Sequence, residues 1–127
     1  MKEKMRVLIV DDSLIIRKAI HQHLSDNYNV EVVGMAENGI VALEMFDKTK
    51  PEYVTLDINM PELDGLSVLE QMLQRDPTVN VIIVTALSDK DTALQAIEMG
   101  AKGYVIKPLT FEKLQAAVNQ LTAQEQN

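Results

Sequence analysis

Tyr53 to Gly65 reads YVTLDINMPELDG. Tyr53, Val54, Thr55 and Leu56 are apolar or β-branched, which predicts a buried strand that delivers the carboxylate of Asp57 at its C-terminal end. Pro61 biases Met60 toward an extended backbone and stops the strand, and Asp64-Gly65 marks the turn that opens the next helix. Asp57 is therefore expected at a strand-to-loop edge, half out of the core. Taken alone, such an aspartate reads more readily as a helix cap or a solvated loop acid. The rest of the chain overturns that reading.

Upstream, Met5 to Val10 predicts a first strand that runs into Asp11-Asp12. Ser13 or Asp12 can cap a helix carrying Ile16, Ile20 and Leu24 at helical spacing and closing at Asp26-Asn27. A second strand holds Val30, Val32 and Val33, and Asn38 caps a second helix with Ala42, Leu43 and Phe46 inward. Lys48 to Lys50 complement that helix's C-terminal dipole before Pro51 ends it. Downstream, a third helix from near Asp64 presents Leu66, Leu69 and Leu73 and stops at Asp76-Pro77. A fourth strand, VNVIIVTA, carries Thr85 to its C-terminal end, with a continuous apolar middle that implies burial on both faces. Ser88 and Asp91 form a capping-box pattern for a fourth helix that Gly100 terminates. A short fifth strand, Gly103 to Ile106, delivers Lys107-Pro108. Thr110 then caps a last helix with Phe111, Leu114, Val118 and Leu121 inward, and residues 122–127 form a polar tail.

Five strand-then-helix units with two-sided apolar strands imply a parallel sheet covered on both faces, and right-handed crossovers leave few topologies. The simplest is a doubly wound five-stranded α/β sheet in the order 2-1-3-4-5. The 127 residues then make one domain with its core over 5–121. In such sheets ligands bind beyond the carboxyl ends of the strands, where strand order reverses.

Composition narrows the function. The 46% hydrophobic and 24% charged residues indicate a globular chain. The longest apolar run, Val81 to Val84, is far short of the roughly 20 residues of a membrane span. With no signal-like N-terminal stretch, a cytoplasmic location is the default expectation and no membrane insertion is expected. The absence of cysteine excludes disulfides, thiolate metal sites and cysteine nucleophiles. A formal charge of −7 argues against direct nucleic-acid binding, which needs clustered Lys and Arg.

The polar residues that look misplaced in a core all follow strands: Asp11 and Asp12 the first, Asp57 the third, Thr85 the fourth and Lys107 the fifth. In the 2-1-3-4-5 order all five meet on one rim. Like charges about 4 Å apart cost on the order of 4 kcal/mol at an effective dielectric of about 20, so three carboxylates there need cations. Lys107 supplies one. The all-oxygen donor set of Asp11, Asp12 and Asp57 points to Mg²⁺ or Mn²⁺, bound by one or two of these carboxylates plus waters and phosphate oxygens, with a backbone carbonyl of the Asp57 to Met60 loop, most simply that of Asn59, able to complete the set. A carboxylate beside such an ion, a lysine and a hydroxyl is equipped to attack phosphorus and form an acyl phosphate, with Thr85 donating a hydrogen bond to the transferred group. Asn59 cannot activate water, so the acyl phosphate should persist as a signal.

These motifs, VDD at Val10 to Asp12, LDINMPELDG at Leu56 to Gly65, VTA at Val84 to Ala86 and KP at Lys107-Pro108, resemble a response-regulator receiver domain of the CheY type, over Arg6 to Leu121. The resemblance implies that Asp57 is the phosphoacceptor, that Asp11 and Asp12 are the acid pair with Asp12 the closer metal ligand, and that Thr85 and Lys107 contact the phosphoryl group. It implies a cis peptide at Lys107-Pro108 and a switch in which Tyr104 turns inward when the Thr85 hydroxyl moves toward the phosphoryl oxygens. The implied donor is a histidine kinase or a phosphotransfer protein of a two-component system or phosphorelay. The implied output is a protein target meeting the Tyr104 face, formed by the fourth helix, fifth strand and last helix. Chemotaxis is the favoured setting, and the protein is expected to be a monomer or a phosphorylation-dependent dimer. Leu87, apolar beside the pocket mouth, is expected to limit water entry and, with Asn59, to set a slow hydrolysis rate.

His21 and His23 lie two apart on a helix and point to different sides, which reads as a solvated surface, not a metal site. An aspartate-nucleophile phosphatase of the haloacid-dehalogenase kind needs a second acid where Asn59 stands. An adaptor that no longer uses phosphate would have no need of the five-residue set. No glycine-rich phosphate loop follows the first strand, where Asp11-Asp12-Ser13 stands instead.

Overall fold

A computed structural model describes residues 4–60 and 63–126, with side chains through Leu121. The Pro61 turn lies outside the described residues. Five parallel strands, β1 (Met5–Val10), β2 (Val30–Ala36), β3 (Tyr53–Asp57), β4 (Asn80–Thr85) and β5 (Gly103–Ile106), form one sheet in the order β2-β1-β3-β4-β5. Five helices connect and cover it: α1 (Leu14–Asn27), α2 (Gly39–Thr49), α3 (Gly65–Arg75), α4 (Lys90–Met99) and α5 (Phe111–Gln126). No helix among the described residues is long and apolar enough to cross a membrane.

The two-residue period of the strands splits the core into two layers. Leu8, Val10, Val54, Leu56, Val81 and Ile83 face α2, α3 and α4, where Phe46, Val68, Leu69, Met72, Ala93 and Ala96 meet them. The alternate residues Val7, Ile9, Tyr53, Ile82 and Val105 face α1 and α5, against Ile20, Leu24, Leu114, Val118 and Leu121. This two-sided burial is why β1, β3 and β4 read as continuous apolar runs.

Local chemistry sets the element ends. Ser13, Asn38 and Asp64 each accept a hydrogen bond from a backbone N–H in the first turn of α1, α2 and α3, and Thr110 does the same for α5. The Arg6 guanidinium reaches from β1 to the carbonyls of Thr49 and Lys50, satisfying the C-terminus of α2. Gly100 ends α4 at φ 126°, in a region that L side chains rarely adopt.

Several expectations are corrected. Ser88 does not cap α4: Leu87–Asp89 form a single 3-10 turn, and α4 starts at Lys90 behind Asp89, which makes no side-chain cap bond. The expected second strand is present as β2, and its register against β1 shifts past Val33. Helix α5 runs on through Gln126 instead of giving way to a tail after Leu121. Phe111, expected inside, is 62% exposed as the first residue of α5, and its ring stacks on that of His23, at 4.5 Å between centroids. His23 in turn is buried, not solvated. The two histidines do diverge, but His23 is on the side that α5 and Tyr28 cover, and its Nδ1 faces the Asn27 side-chain amide at 3.2 Å.

Candidate functional site

The carboxyl ends of β1, β3, β4 and β5 bring Asp11, Asp12, Asp57, Thr85 and Lys107 to one rim. Parallel pairing dictates this: β3 sits between β1 and β4, and Lys107 follows β5 with its N–H donated to Thr85 O at 2.7 Å. Asp57 is fully buried at 0% exposure, not half out of the core. As the last residue of the central strand it has neighbours on both sides. The loop beyond it also turns back, with the Gly65 N–H donating to Ile58 O at 3.2 Å. That approach needs glycine: a Cβ at Gly65 would stand 2.5 Å from Ile58 Cα.

Asp11 and Asp57 are held alike. Each uses Oδ1 to accept the backbone N–H two residues on, Ser13 N–H at 2.8 Å for Asp11 and Asn59 N–H at 3.0 Å for Asp57. Each thereby turns Oδ2 toward Lys107, whose Nζ is 3.7 Å from Asp11 and 3.5 Å from Asp57. Those distances are ion pairing without a hydrogen bond. The Oδ2 atoms of both acids and the Thr85 hydroxyl are buried with no hydrogen-bond partner. Burial therefore dominates the electrostatics: it pushes the Asp57 carboxyl up from 3.8 to about 6, against the Asn59 N–H and with the Asp11 charge adding to the rise. Burial also raises Asp11, against the Ser13 N–H and Lys107.

Orphaned buried oxygens in a native fold call for a missing partner. Asp11, Asp12 and Asp57 each offer a carboxylate oxygen, all within 4.8 Å of one another. Asp12 is exposed, so its carboxylate closes the cluster from the solvent side. Three hard oxygen donors of this kind fit a divalent ion such as Mg²⁺, with waters and phosphate oxygens completing its shell. The exposed Asn59 stands at the same mouth.

The other expected residues fall around this centre. Ile83 pairs with Tyr104 and Thr85 with Ile106, so Thr85 and Tyr104 share one face of the sheet one step apart. Tyr104 is 36% exposed and Leu87 is 69% exposed on the 3-10 turn after β4. Lys107-Pro108 is cis. Sequence reasoning overlooked Arg17, whose Nη1 donates to the main-chain carbonyl of Asp11 at 2.6 Å. The available signal was a cation in the first turn of α1, where the helix dipole favours anions.

The family model for the response regulator receiver domain matches residues 7–119. The chemotaxis protein CheY of Listeria monocytogenes is 40% identical over 114 residues, covering 90% of this chain and 95% of that protein. CheY of Bacillus subtilis is 38% identical over 114 residues, covering 90% and 94%. Among solved structures, the CheX-CheY-BeF3-Mg+2 complex from Borrelia burgdorferi superposes with a TM-score of 0.87 at 29% identity, covering 93% of this chain and 89% of that chain. With the sheet order, the acid cluster and this agreement over nearly the whole length, the chain belongs to the response regulator receiver domain family of two-component signalling.

Proposed function

We propose that this receiver domain accepts a phosphoryl group on Asp57 and signals by protein contact. The observation that carries the reading is the orphaned Asp57 Oδ2, buried at the carboxyl end of the central strand and facing Lys107. An Asp57 oxygen attacks the phosphorus of a phosphohistidine on a histidine kinase or phosphotransfer protein. The P–O bond forms as the P–N bond breaks, and the electron pair leaves on the imidazole nitrogen, which takes its proton from solvent. Asp11, Asp12, Asp57 and the Asn59 carbonyl would hold Mg²⁺. When bound, the ion supplies positive charge to the phosphoryl oxygens. Lys107 pairs with one of those oxygens, and the unpartnered Thr85 hydroxyl donates to another.

As Thr85 commits its hydroxyl, Tyr104 one step along the same face turns inward, and the surface of α4, β5 and α5 changes for a downstream protein. Asn59 offers no base for hydrolysis, and with Leu87 at the mouth it sets the phosphoryl lifetime. The relatives named CheY favour a chemotaxis pathway.

The test is intact-mass analysis after incubation with acetyl phosphate. One phosphoryl adduct is expected on the parent in Mg²⁺, none in EDTA, and none on Asp57→Asn. Stoichiometric labelling of Asp57→Asn would remove the central claim, and no labelling of either protein together with no Mg²⁺ binding would favour a phosphate-independent adaptor.

A further inference from the structure

We infer that Arg17 is a positioning residue for the metal-binding acid pair, acting through the Asp11 carbonyl on the orientation of Asp12. The inference rests on the phosphoacceptor reading above. Asp11 is pinned at every polar atom but one: its N–H donates to Ala36 O at 3.1 Å, its carbonyl accepts Arg17 Nη1 at 2.6 Å, and its Oδ1 accepts Ser13 N–H at 2.8 Å. Asp12 has no such support. It is exposed, and among the described residues its carboxylate makes no hydrogen bond or ion pair of its own. Its direction is set by its backbone, and the peptide that joins it to Asp11 is the one whose carbonyl the guanidinium holds. A change in ψ at Asp11 turns that carbonyl away from the guanidinium and carries the Asp12 Cα–Cβ bond away from the cluster with it.

The placement of Arg17 supports this. It is the fourth residue of α1, a helix with no acidic residue in its first turn, and a cation there opposes the helix dipole. Its side chain instead reaches back past the helix N-terminus and is half-buried against the acid turn. Groups that orient metal ligands without touching the ion typically govern affinity by about 10–100-fold.

The sign of the effect separates positioning from charge. If Arg17 acted only as a cation near the site, its neutral replacement would relieve repulsion and tighten Mg²⁺ binding. Positioning predicts the reverse. The experiment is calorimetric Mg²⁺ titration of the full chain as parent, Arg17→Met and Arg17→Lys, with acetyl phosphate labelling at low and saturating Mg²⁺. Arg17→Met is expected to raise the Mg²⁺ Kd about 10-fold, to label slowly at low Mg²⁺, and to recover to within about twofold of the parent at saturation. Arg17→Lys, which keeps a charged donor, should fall between the two and serves if Arg17→Met does not fold. In the metal-free protein, Arg17→Met should shift the amide resonances of Asp12 and Ser13 but not those of Val54 to Leu56. A Kd that is unchanged or tighter, or a labelling defect that persists at saturating Mg²⁺, overturns the inference. If the parent itself neither binds Mg²⁺ nor labels, the phosphoacceptor reading has failed instead.

Discussion

Asp57→Asn should make the metal-free protein more stable at neutral pH, although it removes the residue on which the proposed chemistry depends. Burial holds the Asp57 carboxyl at about 6 in the fold against 3.8 when unfolded. A raised folded value means that this group's contribution is fully present below pH 3.8 and is lost as pH rises to about 6. At about 1.4 kcal/mol per pH unit, the charged carboxylate therefore costs about 3 kcal/mol above pH 6. Asparagine removes that charge while keeping an oxygen for the Asn59 N–H. Its amide nitrogen stays buried and unpaired where Oδ2 was, which returns about 1–2 kcal/mol of the gain. The expected net is about 1–2 kcal/mol at pH 7.5 in EDTA, or roughly 4–8 °C in Tm for a chain of this size. Urea denaturation with matched m-values is the assay. Added Mg²⁺ should close the gap, because it binds the folded parent and stabilises it by about 1.4 kcal/mol at ten times Kd, and binds the variant less well. A variant no more stable than the parent in EDTA, or a gap that Mg²⁺ leaves untouched, would refute the claim that an uncompensated buried charge sits at Asp57.

Gly65→Ala should destabilise by about 2 kcal/mol in urea titrations, since its Cβ would be driven against the Ile58 backbone in a packed region. Thr55→Val should stabilise by about 1 kcal/mol, because the Thr55 hydroxyl is buried in β3 without a partner and valine keeps its shape; a loss of stability would show that the hydroxyl is satisfied in solution. Burial lowers the His23 pKa from 6.5, against the pull of Asp26, so its contribution is present above pH 6.5 and lost as pH falls through the folded value. The parent should therefore lose more stability than His23→Gln between pH 7 and 5.5, read from urea midpoints, and parallel profiles would sink this account.

The fold was legible because its determinants are local and repeated. The apolar runs of β1, β3 and β4, the caps at Ser13, Asn38 and Asp64, and the stops at Pro51 and Gly100 all act within a few residues. The five site residues were legible for a related reason: each is a polar residue at the end of an apolar strand, and parallel sheets gather such ends on one rim. Misreadings arose where a side chain's neighbour comes from a distant segment. Nothing near His23 in sequence announces the ring of Phe111, and helical spacing alone put Phe111 inside although its outer face is left to solvent.

The sequence by itself determined the doubly wound topology, the identity of the acids, lysine and hydroxyl on the rim, and the hard-oxygen character of the donor set, because residue type and strand period carry that information. Only the tertiary structure decided how each group is poised. It buried Asp57 between β1 and β4, committed one oxygen of Asp11 and of Asp57 to a local amide while leaving the other without a partner, and set Arg17 on the Asp11 carbonyl. The physical reason is that desolvation and hydrogen-bond satisfaction depend on what every neighbouring segment places around an atom, and no stretch of sequence holds that list.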